Sequence, residues 1–166
     1  KKQSLNLVSP KNTTYCKEIV MTTTESQILT EETVPQYLAE HASDIGIFPS
    51  TSTITAKAIL GGNVNYAFYA SDETGEHSVF VKQAPEFVAI FGPDGLPLTS
   101  DRMRREIEVY EEWKIILGEE LRAKYLPSIY KFDTTWMVSV MEFLQDYTLL
   151  DHDLVSSGII PLPIST

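Results

Sequence analysis

With 166 residues, 43% of them hydrophobic and 22% charged, the chain has the composition of a single folded soluble domain and not of a disordered segment. Its net charge of −10 argues against sequence-independent nucleic-acid binding, which needs a basic footprint. A single cysteine, Cys16, leaves no intramolecular disulfide, and His41, His77 and His152 follow no metal-ligand spacing, so no metal-ligating residue is assigned and a reducing compartment is expected. No apolar run approaches the roughly 20 residues of a membrane span, and the lysine-bearing N-terminus lacks the apolar stretch of a secretory signal. Residues 1–29 are polar and aperiodic and read as a tail or leader; the chain begins at Lys1, and "MTTTESQ" begins at Met21.

The stretch "TEETVPQYLAEHASDIGIF" predicts a helix of about three turns, capped by Thr30 or Thr33, with Pro35 in its first turn and Gly46 at its end. Residues 52–60 ("STITAKAIL"), 65–70 ("NYAFYA") and 78–84 ("SVFVKQA") alternate or are β-branched and aromatic. With "SDETGEH" as a turn they predict a three-stranded antiparallel meander. "FGPDGLPL" is a loop. A second helix runs from about Ser100 to Leu117, with Met103, Ile107, Tyr110, Trp113 and Leu117 on one face. Two short strands follow, at 128–132 and 135–141. The order helix, βββ, helix, ββ predicts an α+β fold, a twisted five-stranded antiparallel sheet with one long packed helix.

Four features bear on chemistry. Gly61 and Gly62, followed by Asn63 and Asn65, form a turn whose backbone a ligand can approach closely. Gly-Gly and Gly-Asn are also common hairpin turns, and on this segment alone the plain hairpin stands as the alternative. Lys82 shares a strand face with Phe80, opposite Val79 and Val81, so it either extends to water or meets an anion. Glu106 falls inside the apolar stripe of the second helix, whereas Glu108, Glu111 and Glu112 lie toward its polar side. A carboxylate so placed needs a partner, and Lys82 is the obvious one. Finally, Glu142, Phe143 and Leu144 end a hydrophobic strand, where backbone groups in an exposed connector could read a base edge.

In that order, a Gly-rich turn, a strand lysine, a helix acid and a strand-to-connector junction match the ATP-binding lobe of a protein-kinase-like fold. No GxxxxGK[ST] phosphate loop is present. Residues 38–160 resemble the S-methyl-5-thioribose kinase family on the stretches "GIFPSTSTITAKAILGGNVNYAFY", "VFVKQA", "PLTSDRMRREIE" and "VSVMEFL", with "GII" beyond. The resemblance implies an enzyme of methionine salvage that phosphorylates 5-methylthioribose at its 1-hydroxyl with ATP and Mg²⁺. It also implies a cytoplasmic setting and a homodimer, with no nucleic-acid or membrane partner. By position it implies an ATP-contacting Asn65 within the 61–65 loop, a phosphate-binding Lys82, a helix acid at Glu106, and an adenine-reading connector at Glu142, Phe143 and Leu144. The sequence departs from the family at Phe143, commonly Asp, and at Leu96, often Trp. The family's "HGD" and "DPE" motifs, which supply the base and the metal ligands, are not found in these residues. The expectation is therefore an incomplete chain: a tail at 1–29, an ATP-binding lobe at 30–144, and at 145–166 the start of a connection to a second lobe. Such a chain alone would not turn over ATP. "DHD" at 151–153 reads as solvated surface. Two alternatives are a choline- or aminoglycoside-kinase-like lobe and a non-catalytic binding or regulatory module.

Overall fold

The computed structural model describes residues 28–49, 51–147 and Leu154. The readings for the tail up to residue 27, for "DHD" and for most of the 145–166 connection lie outside the described residues. The elements in chain order are α1 (Val34–Glu40), α2 (Ala42–Ile45), β1 (Ile54–Ala58), β2 (Tyr66–Asp72) and β3 (Ser78–Gln83). A 3₁₀ turn (Ala89–Phe91), α3 (Asp101–Tyr125), β4 (Ile129–Asp133) and β5 (Val138–Glu142) complete them. The five strands form one antiparallel sheet in the order β1-β2-β3-β5-β4. The predicted α+β fold is the one observed.

Strand alternation decides how the two faces of the sheet are used. In β3, Val79, Val81 and Gln83 are buried, while Ser78, Phe80 and Lys82 are half-buried. The register sets Val81 between Phe68 and Val140, and Lys82 between Ala67 and Ser139. The face carrying Phe68, Ala70, Val79, Val81, Val138 and Val140 packs against Leu29, Val34, Tyr37, Leu38, Ile45 and Phe48 to make the core. The first two helices therefore cover one side of the sheet, and Lys82 projects from the other.

The single helix predicted over residues 30–48 is two short ones. Thr30 and Thr33 satisfy each other at the start: the Thr30 N–H donates to Thr33 Oγ1 (2.8 Å), and the Thr33 N–H donates to Thr30 Oγ1 (3.3 Å). Pro35 sits in the first turn, and Gly46 ends α2. The break at His41 follows tertiary contacts. The Tyr37 hydroxyl donates to Asp133 Oδ2 (3.2 Å), the Tyr37 ring lies 5.5 Å from that of Trp136, and Lys131 pairs with Asp44 at 2.8 Å. Leu29, placed by composition in the tail, is buried, and its N–H donates to Gln83 Oε1 (2.8 Å).

The second helix ends where the sequence places its end, although helical structure resumes beyond. Gly118 has φ 70 and ψ 176 inside α3, a conformation essentially restricted to glycine. Its apolar stripe is buried only near the N-terminus. Met103 and Ile107 are buried, Tyr110 is half-buried, and Trp113 is 50% exposed. The second strand of the last hairpin begins three residues later than expected. Asp133 Oδ1 accepts the N–H groups of Thr135 (2.8 Å) and Trp136 (3.1 Å), which lengthens the turn and starts β5 at Val138 instead of residue 135.

Ser139 is fully buried opposite Lys82, and its hydroxyl oxygen has no hydrogen-bond partner among the described residues. An unsatisfied buried polar group costs about 1–3 kcal/mol, whereas a methyl group in its place costs nothing in hydrogen bonds. Ser139→Ala is expected to leave the thermal unfolding midpoint unchanged or raised, as read by circular dichroism. A clear fall would show that the hydroxyl has a partner.

Candidate functional site

The open face of the sheet joins the sequence features that bear on chemistry. Lys82 Nζ donates to both Glu106 oxygens, each at 2.7 Å, and so bridges β3 to α3. The side chains are 23% and 30% exposed, so both reach water. A pair this accessible contributes at most about 1 kcal/mol of stability. Its main consequence is positional, since it holds an ammonium group at a fixed, half-buried place on the sheet face opposite the main core.

Residues 59–65, between β1 and β2, lie at the Lys82 end of that face, because Ala67 is the cross-strand neighbour of Lys82. Gly61 has φ 106, which a side chain would resist. Gly62 has no such requirement: a Cβ there would meet only Asn65 O, at an ordinary 3.5 Å. The loop is tied down at its far end, where Asn63 O accepts from the Ile90 N–H (3.0 Å) and Val64 O from the Ala89 N–H (3.3 Å). The Asn65 side-chain oxygen accepts from Arg102 Nε at 2.9 Å, so within the protein it serves an internal partner.

The aromatic wall of this face comes from Tyr69 and Phe80, neighbours across β2 and β3, with Met141 beside Phe80 on β5. The Phe143 ring packs against Tyr69 with centroids 4.5 Å apart. Following β5, the connector is less open than its sequence suggests. The Glu142 N–H donates to Ser128 O (2.8 Å), and its carboxylate accepts from the Ser128 N–H (2.9 Å). Phe143 O accepts from Gln145 (3.1 Å) and Leu144 O from Tyr147 (3.3 Å). The N–H groups of Phe143 and Leu144 have no hydrogen-bond partner among the described residues.

Arg102 is the residue that sequence reasoning missed. Its guanidinium donates through Nε to Asn65 Oδ1 and through Nη1 to the carbonyls of Thr99 (2.7 Å), Pro85 (2.8 Å) and Leu98 (3.0 Å). Its Nη2 reaches Val64 O (3.1 Å) and, more weakly, Phe87 O (3.5 Å). Burial lowers its pKa, with nearby Glu86 opposing the change. One signal was available in the sequence: a cation in the first turn of a helix opposes the helix dipole and needs a reason to be there.

Among the described residues no three His, Cys, Asp or Glu side chains converge as a metal site. No described helix is long and apolar enough to cross a membrane. No protein-family model matches the chain. Curated relatives do. The chain is 34% identical to the methylthioribose kinase of Bacillus velezensis over 116 residues, which is 70% of this chain and 28% of that protein. It is 31% identical to the methylthioribose kinase of Bacillus thuringiensis over 134 residues, 81% of this chain and 31% of the relative. The Bacillus cereus strain AH187 enzyme matches at 30% over the same length. The chain belongs to the methylthioribose kinase family. It spans about 30% of the length of these relatives. The five-stranded antiparallel sheet with one long helix is consistent with the N-terminal lobe of a kinase-like fold.

Proposed function

We propose that these residues form the ATP-binding lobe of a small-molecule kinase that phosphorylates 5-methylthioribose at its 1-hydroxyl. The observation that carries the reading is the partly exposed Lys82–Glu106 bridge, held beside the 59–65 loop. Lys82 is long enough to neutralise phosphate oxygens, and Glu106 orients it. The apolar wall of Tyr69, Phe80 and Phe143 suits a flat base, and the open Leu144 N–H offers that base a donor. The backbone at Gly61 and Gly62 lies where the phosphates need cover. Mg²⁺ would arrive with the triphosphate, largely held by its oxygens, and would neutralise charge as the phosphoryl group moves. Its protein ligands and the base that activates the sugar hydroxyl are placed outside the described residues. The choice of methylthioribose rests on the relatives' names, while the 1-hydroxyl and methionine salvage rest on the family resemblance. The same reading carries a cytoplasmic setting and a homodimer as expectations.

Isothermal titration of the chain with ATP tests the lobe: saturable one-site binding is expected, displaced by ADP. No detectable binding at millimolar nucleotide would overturn it. The sugar is tested separately, on protein expressed from its complete coding sequence. Transfer of labelled phosphate to 5-methylthioribose in preference to choline or an aminoglycoside is expected, and the reverse preference would move the chain to a neighbouring kinase class.

A further inference from the structure

Arg102 gathers four carbonyl oxygens within 3.1 Å, a fifth at 3.5 Å, and one amide oxygen. These acceptors come from three separate places. Val64 and Asn65 are the exit of the 59–65 loop. Pro85 and Phe87 follow β3 a few residues after Lys82. Leu98 and Thr99 lead into α3, which carries Glu106 one helical turn after Arg102. No carboxylate lies within salt-bridge distance of Arg102 among the described residues. Its hydrogen bonds all go to neutral oxygens, with Glu86 near but not paired, and an arginine suits that task because its planar fork presents five donors in fixed directions. A lysine at this position would present one nitrogen and could not serve both sides.

The same segments are also joined by a bridge between Phe87 and Pro97 and by the Ser100 hydroxyl donating to Glu86. The hairpin-like loop at 86–98 is closed by the Val88 N–H donating to Leu96 O (2.9 Å) and the Leu98 N–H to Glu86 O (3.0 Å). It touches the 59–65 loop through the two bonds from Ala89 and Ile90. Arg102 adds bonds to both loops from a residue on the same helix as Glu106. A displacement of α3 would thus shift the loop and the Lys82 partner together.

We propose that Arg102 is a positioning residue for the nucleotide phosphates: it fixes the 59–65 loop relative to Lys82 and Glu106 without itself touching the ligand. The proposal rests on the nucleotide reading above and deepens it. Adenosine, which lacks phosphates, serves as the internal control. Titrations of wild type, Arg102→Lys and Arg102→Ala with ATP and with adenosine are expected to show ATP affinity falling about tenfold or more in both variants, while adenosine affinity holds within about twofold. Equal losses for the two ligands, or no loss for ATP, would overturn the proposal. Hydrogen exchange at residues 59–65 gives an independent arm. Faster exchange confined to that loop and residues 85–99 is expected in the folded variants, and unchanged protection would overturn the proposal even if wild type bound no nucleotide. Failure of both variants to fold, seen by circular dichroism, would also overturn it, because the role would then be in folding. A wild type that binds neither ligand while the exchange result holds would instead sink the nucleotide reading and leave the loop-fixing role standing.

Discussion

Replacing Lys82 by methionine is expected to weaken ATP binding by roughly tenfold to a hundredfold while leaving the fold intact. Hydrogen bonds to a charged group contribute about 1.5–3 kcal/mol, and each 1.4 kcal/mol is a factor of ten in affinity. Methionine keeps the unbranched length of the side chain, so the strand face beside Phe80 stays filled. The folded protein loses one ion pair whose partners are 23% and 30% exposed. Glu106, left alone, is accessible enough to hydrate, so the stability change should stay below about 1 kcal/mol. The two readouts diverge, and that divergence makes the experiment informative. A large affinity loss with an unchanged melting midpoint places Lys82 at the phosphates. Unchanged affinity in a protein that binds ATP would remove Lys82 from the site. A collapse in stability would show that the bridge to Glu106 is structural.

The sequence made the meander and the bridge visible for physical reasons that hold at particular residues. One-sided burial forces alternation, so the sequence alone separates Val79 and Val81 from Phe80 and Lys82. Glu106 was conspicuous because a carboxylate within an apolar stripe demands a partner, and it has one at 2.7 Å. Other features carried no such pattern. The partners of Arg102 are mostly backbone carbonyls, which every residue possesses, so no spacing encodes them. The break at His41 lies in no glycine or proline; it follows contacts with Asp133 and Trp136, about ninety residues away in the chain. The stripe of α3 named the right face but not how far that face is buried, since Trp113, Ile115 and Ile116 are exposed despite their apolar character. The connector misled for a related reason. A strand end reads as free, yet Glu142 uses both its N–H and its carboxylate on Ser128.

Leu38→Ala is expected to have the largest effect on stability, about 2–5 kcal/mol, read as a fall in the denaturation midpoint. Leu38 is 0% exposed, and the core cluster to which it belongs joins α1 and α2 to the buried face of the sheet. Domains of this size hold only about 5–15 kcal/mol in total, so the substitution would take a large part of it. The cavity would open on the side of the sheet opposite Lys82. Below its new midpoint the variant should therefore bind ATP with wild-type affinity, since none of the residues facing the candidate site has moved. Trp113→Ala is the matched comparison. Trp113 is the larger side chain and lies on the stripe that sequence periodicity marks as apolar, yet it is half exposed and should cost less than Leu38→Ala. If the tryptophan proved the more costly, the core would lie against α3 and not against α1, and the separation of a packed face from a ligand face would fail with it. The observed order would establish that the short first helices hold the sheet together, leaving α3 free to carry Arg102 and Glu106.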